Sequence, residues 1–235
     1  SRPNQFIGRG KRLDFNIPKN LTQRIKEISI NNNLSTFGFL FGVYNLFISK
    51  ILKRDDVSIG VPVSGRLDHR LDNVLGYFVN SLPLLSIIDK SKSNIENIKN
   101  VSNGFLECFT HQQIPFDVIV KNLDLIRDPS VTPLYQIFFT FKETKDIRYS
   151  FAENKSEFLK IDRNSTHTDL DITLISRESG ISGYFDYRTD IFESSYIEEI
   201  KEDWLIFLEI VVGDVNNNQK DIDTFNSFEV RLKDI

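Results

Sequence analysis

The stretch "FGFLFGVYNLFI", Phe37 to Ile48, constrains this chain more than any other. Its apolar side chains fall on every side of a helical wheel, and Ser35 or Thr36 stands where an N-cap belongs. The pattern predicts a long helix reaching about Lys53. A helix that is apolar all round has no face for water, so other elements must enclose it. It does not read as a membrane span, which needs about 20 apolar residues, because Gly42, Tyr44 and Asn45 interrupt it. The enclosing layers must come from the rest of the 235 residues, whose 40% hydrophobic content supplies a core and argues against disorder.

Those layers can be read in order. Arg12–Pro18 alternates apolar and polar residues and predicts a strand. Leu21, Ile25 and Ile28 recur at helical spacing, with Asn20 as N-cap and Asn31–Asn33 as the end. "DVSIGVPVSGR", Asp56 to Arg66, is a β-branched strand running into a glycine turn. "GYFVNSLPL", Gly76 to Leu84, predicts a buried strand, although Asn80 sits in its middle. A helix follows from Asn94 to about Gln112, with Ile95, Ile98, Val101, Phe105 and Phe109 on one face. Pro115 opens a short helix, as proline does in a first turn. Leu134–Lys142 is an aromatic-rich strand. Leu170–Ser176 and Ile181–Arg188, separated by "RESG", make a hairpin, and an amphipathic helix spans about Ser194 to Gly213.

The fold class is therefore α/β, a mixed sheet with helices packed on it. Residues 11–213 form one compact unit, and the polar ends, 1–10 and 214–235, are expected to be linkers. The chain contains no methionine and opens on "SRPNQF", so it is expected to be a piece of a longer polypeptide cut within a linker.

Net charge is −4, which argues against a nucleic-acid or anionic-membrane binder. Arg9, Lys11 and Arg12 read as a solvated cluster. The single cysteine, Cys108, forms no internal disulfide. With no signal peptide and no membrane span, the expected location is the reducing cytoplasm.

The three histidines, His69, His111 and His167, do not form a metal-ligand pattern. Cys108 and His111 lie three apart on a predicted helix, and we read them as a small buried thiol beside a helix-ending histidine. His167 and Asp169 share a face in an extended strand. Two readings stand for them: an aspartate orienting an imidazole for base work, or a polar start to a strand. There is no G-x-S-x-G, P-loop or G-x-G-x-x-G. These residues alone amount to a soluble α/β domain without a complete catalytic set.

Four stretches carry a resemblance. "GVPVSGR" is followed by "LGYFVNSLPL", then "HQQIPFD" (His111 to Asp117), then "RDPSVTPLYQ" (Arg127 to Gln136). In this order and spacing they resemble the C-terminal half of a condensation domain from a nonribosomal peptide synthetase, with patterns similar to GxFVNTLxxR, HQDxPFE and RDxSRNPLfQ. "STHTDLDITL" and "GYFDYRTDIFESSYI" extend the match. Leu85 stands where the family usually has arginine, Gln113 replaces the aspartate of HQD, and Val131 and Thr132 replace an Arg-Asn pair.

The resemblance implies one lobe of a two-lobed fold like that of chloramphenicol acetyltransferase, with a tunnel between the lobes. The family's catalytic motif, HHxxxDG, belongs to the first lobe and does not occur in this chain. His167–Asp171 has only the H-x-x-x-D spacing. The implied function is to form one wall of the tunnel where amide bonds are made between carrier-bound thioesters, and the chain alone is expected to be inactive. The alternative is a degenerate condensation-like module that recruits carrier or tailoring proteins without chemistry.

No cofactor is expected to bind directly; the substrates would ride on phosphopantetheine arms of carrier proteins. Expected partners are the N-terminal lobe, peptidyl carrier proteins and an adenylation domain. The resemblance makes Arg66 the partner of the motif aspartate and gives Gln136 a tunnel-facing amide. Gly76, Phe78, Asn80, His111, Pro115, Phe116, Arg127 and Asp128 are its tunnel or structural motif positions. Asn80 is expected to satisfy its amide on neighbouring backbone.

Overall fold

The computed structural model describes residues 2–126, 128–144, 150–151, 154–155 and 164–217. The chain runs β1 (Gly10–Ile17), α1 (Lys19–Asn31), α2 (Thr36–Leu52), β2 (Asp56–Val63), β3 (Asn80–Ile87), α3 (Asn94–Thr110) and α4 (Phe116–Asn122). It continues through β4 (Ile137–Glu143), the short β5 (Ser150–Phe151) and β6 (Asn154–Lys155), then β7 (Leu170–Arg177), β8 (Gly180–Arg188) and α5 (Ser194–Asn217). Six strands form one sheet in the order β1-β8-β7-β4-β2-β3. β4 runs parallel to both β2 and β7, and the remaining pairs are antiparallel. This is the expected mixed α/β layer.

The apolar helix lies at its centre. Every residue of α2 from Gly38 to Ser49 is buried, and the Ser35 hydroxyl caps it by accepting from Gly38 N. Phe139 of β4 packs on Phe41 and Tyr44, and Trp204 of α5 packs on Tyr44 and Phe47. α3 crosses α2 at Gly42, where a Cβ would lie 2.8 Å from the Ile98 Cα, so only glycine admits this approach. α3 begins with a capping box in which Ser93 and Glu96 bond each other's backbone N–H. Among the described residues no single helix is long and apolar enough to cross a membrane.

Several boundaries differ from the sequence reading. α1 starts at Lys19 after Pro18, whose fixed φ of −53° sets the turn without a side-chain cap; Asn20 lies inside the helix. Pro115 likewise occupies the N-cap position of α4, just before its first turn. β4 starts at Ile137 rather than Leu134, because Leu134 adopts a left-handed φ of 67° that breaks the extended run. α5 continues past Gly213 to Asn217.

The largest difference is at "GYFVNSLPL". Its strand begins only at Asn80, which pairs with Val63, and residues 74–79 form an exposed loop in which Leu75 is fully exposed. β3 is also an edge strand, with Leu85 and Ile87 facing outward. The sequence shows apolarity but not enclosure, so an exposed apolar loop and a buried strand look alike in it.

The leading segment makes specific contacts with the body. Phe6 N donates to Pro129 O (2.9 Å), Thr166 N donates to Gly8 O (3.0 Å), and Arg9 bridges to Ser165. Residues 218–235, most of the expected C-terminal linker, lie outside the described residues.

Candidate functional site

Beyond the end of β2 the chain turns at Gly65, which has a φ of 63°. A Cβ there would fall 1.9 Å from Phe78 O, so the turn requires glycine on two counts. The turn aims Arg66 back across its own loop. Its Nη1 donates to the carbonyls of Leu71 and Val74, the latter at 3.1 Å, and its guanidinium lies 4.4 Å over the Phe78 ring. Gly76 sits against that same ring. Arg66, Gly76 and Phe78 are therefore one cluster. Among the described residues, Arg66 has no carboxylate partner.

Asn80 begins the second cluster. Its Nδ2 donates to Gln112 O (3.0 Å) and Ile114 O (2.7 Å), while its Oδ1 accepts from Phe116 N (3.1 Å). One amide thus pins the α3–α4 connection, from exposed His111 through Pro115, to the first residue of β3. The half-buried Phe116 ring packs 5.2 Å from Tyr135. The amide belongs in this sequence because it is a clamp at a strand's start, not a group within a buried strand. Asn80→Leu keeps the volume but orphans one N–H and two carbonyls. The expected cost is about 2 kcal/mol, read as a lower denaturation midpoint; an unchanged midpoint would show that water replaces the clamp.

Gln136 lies elsewhere. It donates to Thr132 O (2.9 Å) and lines a pocket of about 360 Å³ with Ile48, Ile51, Leu85, Asp169 and Tyr196. That pocket also meets Asp56 and Ser58, at the opposite end of β2 from Arg66. The structure does not bring Gln136 and Arg66 together. Arg127 lies outside the described residues. Asp128 is exposed, and hydrogen bonds from Ser130 hold its carboxyl below the usual range.

Neither imidazole pairing assembles. His167 is exposed, whereas the Asp169 carboxylate is buried and shared between Arg2 (3.0 Å) and Arg188 (3.1 Å). Asp169 is thus an ion-pair anchor and does not orient His167. Cys108 is half-buried, His111 is exposed at the helix end, and burial pushes the thiol upward. Among the described residues no three His, Cys, Asp or Glu side chains gather around a possible metal ion.

The sequence reading missed two polar features. In the first, Arg188, fully buried, grips Asp190 through Nε (3.0 Å) and Nη2 (2.7 Å), and its Nη1 reaches Asp169 and Ser130 O (2.9 Å). It also lies 4.4 Å over Phe6. The signal was the pair Arg188 and Asp190, two apart where β8 ends in a turn.

The second is Asp171, directly opposite Asp186 in the sheet. Asp186 is held by Arg12 at 2.6 and 2.7 Å, but Asp171 has no cationic partner among the described residues. Its Oδ1 is buried and unpartnered. The Thr166 hydroxyl stands 3.1 Å from both Asp171 Oδ2 and Thr168 O. One hydroxyl hydrogen cannot serve two acceptors, so both contacts are filled only if Asp171 supplies its own proton. Burial first, then the charges of Asp186 and Asp169, push its pKa up to about 8 against the lowering effect of Thr166.

A family model described as "Condensation domain" matches residues 1–232. Surfactin synthase subunit 2 of Bacillus subtilis (strain 168) is 26% identical over 228 residues, covering 97% of this chain and 6% of that protein. Gramicidin S synthase 2 of Brevibacillus brevis is 30% identical over 206 residues, covering 87% of this chain and 5% of that protein. The chain therefore spans only a small part of these relatives. The first condensation domain of the CDA synthetase superposes with a TM-score of 0.75 at 16% identity, covering 91% of this chain and 46% of that one. The X-domain in complex with OxyB, from teicoplanin biosynthesis, gives 0.83 at 19% identity, covering 100% of this chain and 51% of that one. At these identities the structural likeness speaks for the fold alone.

Proposed function

The chain belongs to the condensation-domain family of nonribosomal peptide synthetases, and we propose that it is the C-terminal lobe of such a domain, spanning residues 11–213 between linkers. One observation carries this reading: the family model runs through nearly the whole chain, yet the chain covers about half of a solved condensation domain and lacks HHxxxDG.

In the parent domain an amine on one carrier-bound substrate attacks the thioester of another. The C–N bond forms, the C–S bond breaks, and the phosphopantetheine thiol leaves with a proton. The first lobe supplies the histidine that handles the amine proton. This lobe supplies the facing wall, with Arg66 gripping the motif aspartate. A planar, permanently charged guanidinium suits that grip. The motif cluster around Asn80 fixes the segment behind Arg66, and Gln136 lines the pocket at the far end of β2. Carrier proteins with their phosphopantetheine arms, the first lobe and an adenylation domain are its partners, in the cytoplasm. Alone, the chain forms no amide.

Arg66→Ala in the complete two-lobed domain is expected to lower condensation by at least about 100-fold, on the scale of losing a preorganised electrostatic contact. Unimpaired product formation from carrier-loaded substrates would reject the role.

The X-domain likeness supports a second reading, because that neighbour was solved in a protein complex. A condensation-like lobe without chemistry would recruit a partner protein in the same way. An intact HHxxxDG in the preceding lobe separates the two readings.

A further inference from the structure

Three polar side chains are enclosed where the amide-forming reaction has no use for them. Thr166 and Thr168 stand in the turn before β7, each 4% exposed, and Asp171 is the second residue of that strand. The Asp171 Oδ1 and Thr168 Oγ1 atoms are buried without a hydrogen-bond partner among the described residues. The group is held together by the Thr166 hydroxyl, 3.1 Å from both Asp171 Oδ2 and Thr168 O. That hydroxyl has one hydrogen, so the closed arrangement carries a second hydrogen on Asp171.

The same turn carries the leading segment. Thr166 N donates to Gly8 O (3.0 Å), Gly10 N donates to Asn164 O (3.0 Å), and Arg9 bridges to Ser165 while its carbonyl accepts from Thr189 N (3.2 Å). The fit is close. A Cβ on Gly10 would lie 2.9 Å from the Ser165 carbonyl carbon, and Gly8, with a φ of 69°, places its Cβ position 3.3 Å from Thr166 O. Backbone packed this tightly moves with the turn it rests on.

We propose that Asp171 is a proton-dependent clasp on the leading segment: its carboxyl donates to the Thr166 hydroxyl, which is then free to hold Thr168 O, and this fastens turn 164–168 and the chain at Gly8–Gly10 to the sheet. Closing takes one proton from water. Opening lets the carboxyl meet water and returns that proton. The clasp therefore weakens as pH rises from the open-state ionisation toward the closed-state one, which burial pushes up to about 8, and levels off above it. It concerns this chain by itself and stands whether or not a second lobe joins it.

The charged and titratable groups around Asp171 come from four elements. Asp186 of β8 is held by Arg12 of β1, which also lies 3.6 Å over the Tyr184 ring. Asp169 is held by Arg2 and Arg188. The phenols of Tyr44 in α2 and Tyr135 before β4 are raised by burial. His167, between the two threonines, faces water.

Amide hydrogen exchange in the 235-residue chain tests the clasp. Protection factors at Gly10, Thr166 and Thr189 are expected to fall at least about tenfold between about pH 6 and about pH 8, within the limit of about tenfold per pH unit set by one released proton. Asp171→Asn keeps a donor toward Thr166 and does not titrate, so its protection is expected to stay level over that range. Thr166→Val keeps the volume and loses the hydroxyl, and is expected to lower protection at least about tenfold already at about pH 6. Wild-type protection that stays level overturns the clasp. So does an unchanged Thr166→Val, or a carboxyl carbon NMR shift showing that Asp171 ionises near the unfolded value of about 3.9. A fall that persists in Asp171→Asn overturns it as well, since it would belong to another group such as His167.

Discussion

Arg188→Ala is expected to lower the unfolding free energy by about 3–5 kcal/mol, the range for removing one partner of a buried ion pair. The side chain is completely enclosed and bonds Asp169, Asp190 and Ser130 O. These partners lie at the start of β7, beyond the end of β8 and in the loop before β4, so one guanidinium ties three segments together. Alanine removes that tie, opens a cavity against Phe6, and leaves Asp169, with its side chain only 7% exposed, dependent on Arg2 alone. Denaturant unfolding at neutral pH reads the loss as a lower midpoint. The contrast is Arg54→Ala, whose pair with Asp56 is well exposed and screened by water; its midpoint is expected to stay in place. Equal effects from the two variants would contradict the burial argument.

Asp171→Asn is expected to stabilise the chain, by on the order of 4 kcal/mol at pH 7 as an upper figure. The sign follows from the proton count. Burial raises the folded-state pKa to about 8, while the unfolded chain titrates near ~3.9. Between those values the folded state holds a proton that the unfolded state has released. This group therefore contributes its full stability below the unfolded value. It loses about 1.4 kcal/mol for each pH unit of rise until the folded group itself ionises. Asparagine does not titrate, and its NH2 donates to Thr166 as the protonated acid does. Unfolding curves at pH 4, 6 and 8 should diverge, with the variant gaining most at pH 8 and least at pH 4. A variant less stable than wild type at pH 7 would mean that Asp171 is ionised there and paired.

The sheet and helices were legible because burial writes periodicity into a chain. The apolar run of α2, the one-face pattern of α3 and the hairpin around "RESG" each have a single physical solution. The boundaries were less legible where backbone geometry prevails over composition, as at Pro18 and at the left-handed Leu134. Within the site, Asn80 was readable as an amide needing backbone partners, and it has three. The exposed loop after Arg66 was not readable, since its apolar residues look like a strand until the fold leaves them uncovered. The Arg188 network escaped because most of its members lie far apart in sequence: Arg2, Ser130 and Asp169 meet the neighbouring Arg188 and Asp190 only in three dimensions.

The central claim is that this chain is the catalytically incomplete half of an amide-forming domain. The direct measurement incubates it with aminoacyl- and peptidyl-loaded carrier proteins, first alone and then with the preceding lobe of its parent containing HHxxxDG. The account predicts no amide from the chain alone and amide formation on the acceptor carrier once the lobe is added, abolished by Arg66→Ala. Amide formed by the chain alone, or none formed by the two lobes together with HHxxxDG intact, would contradict it.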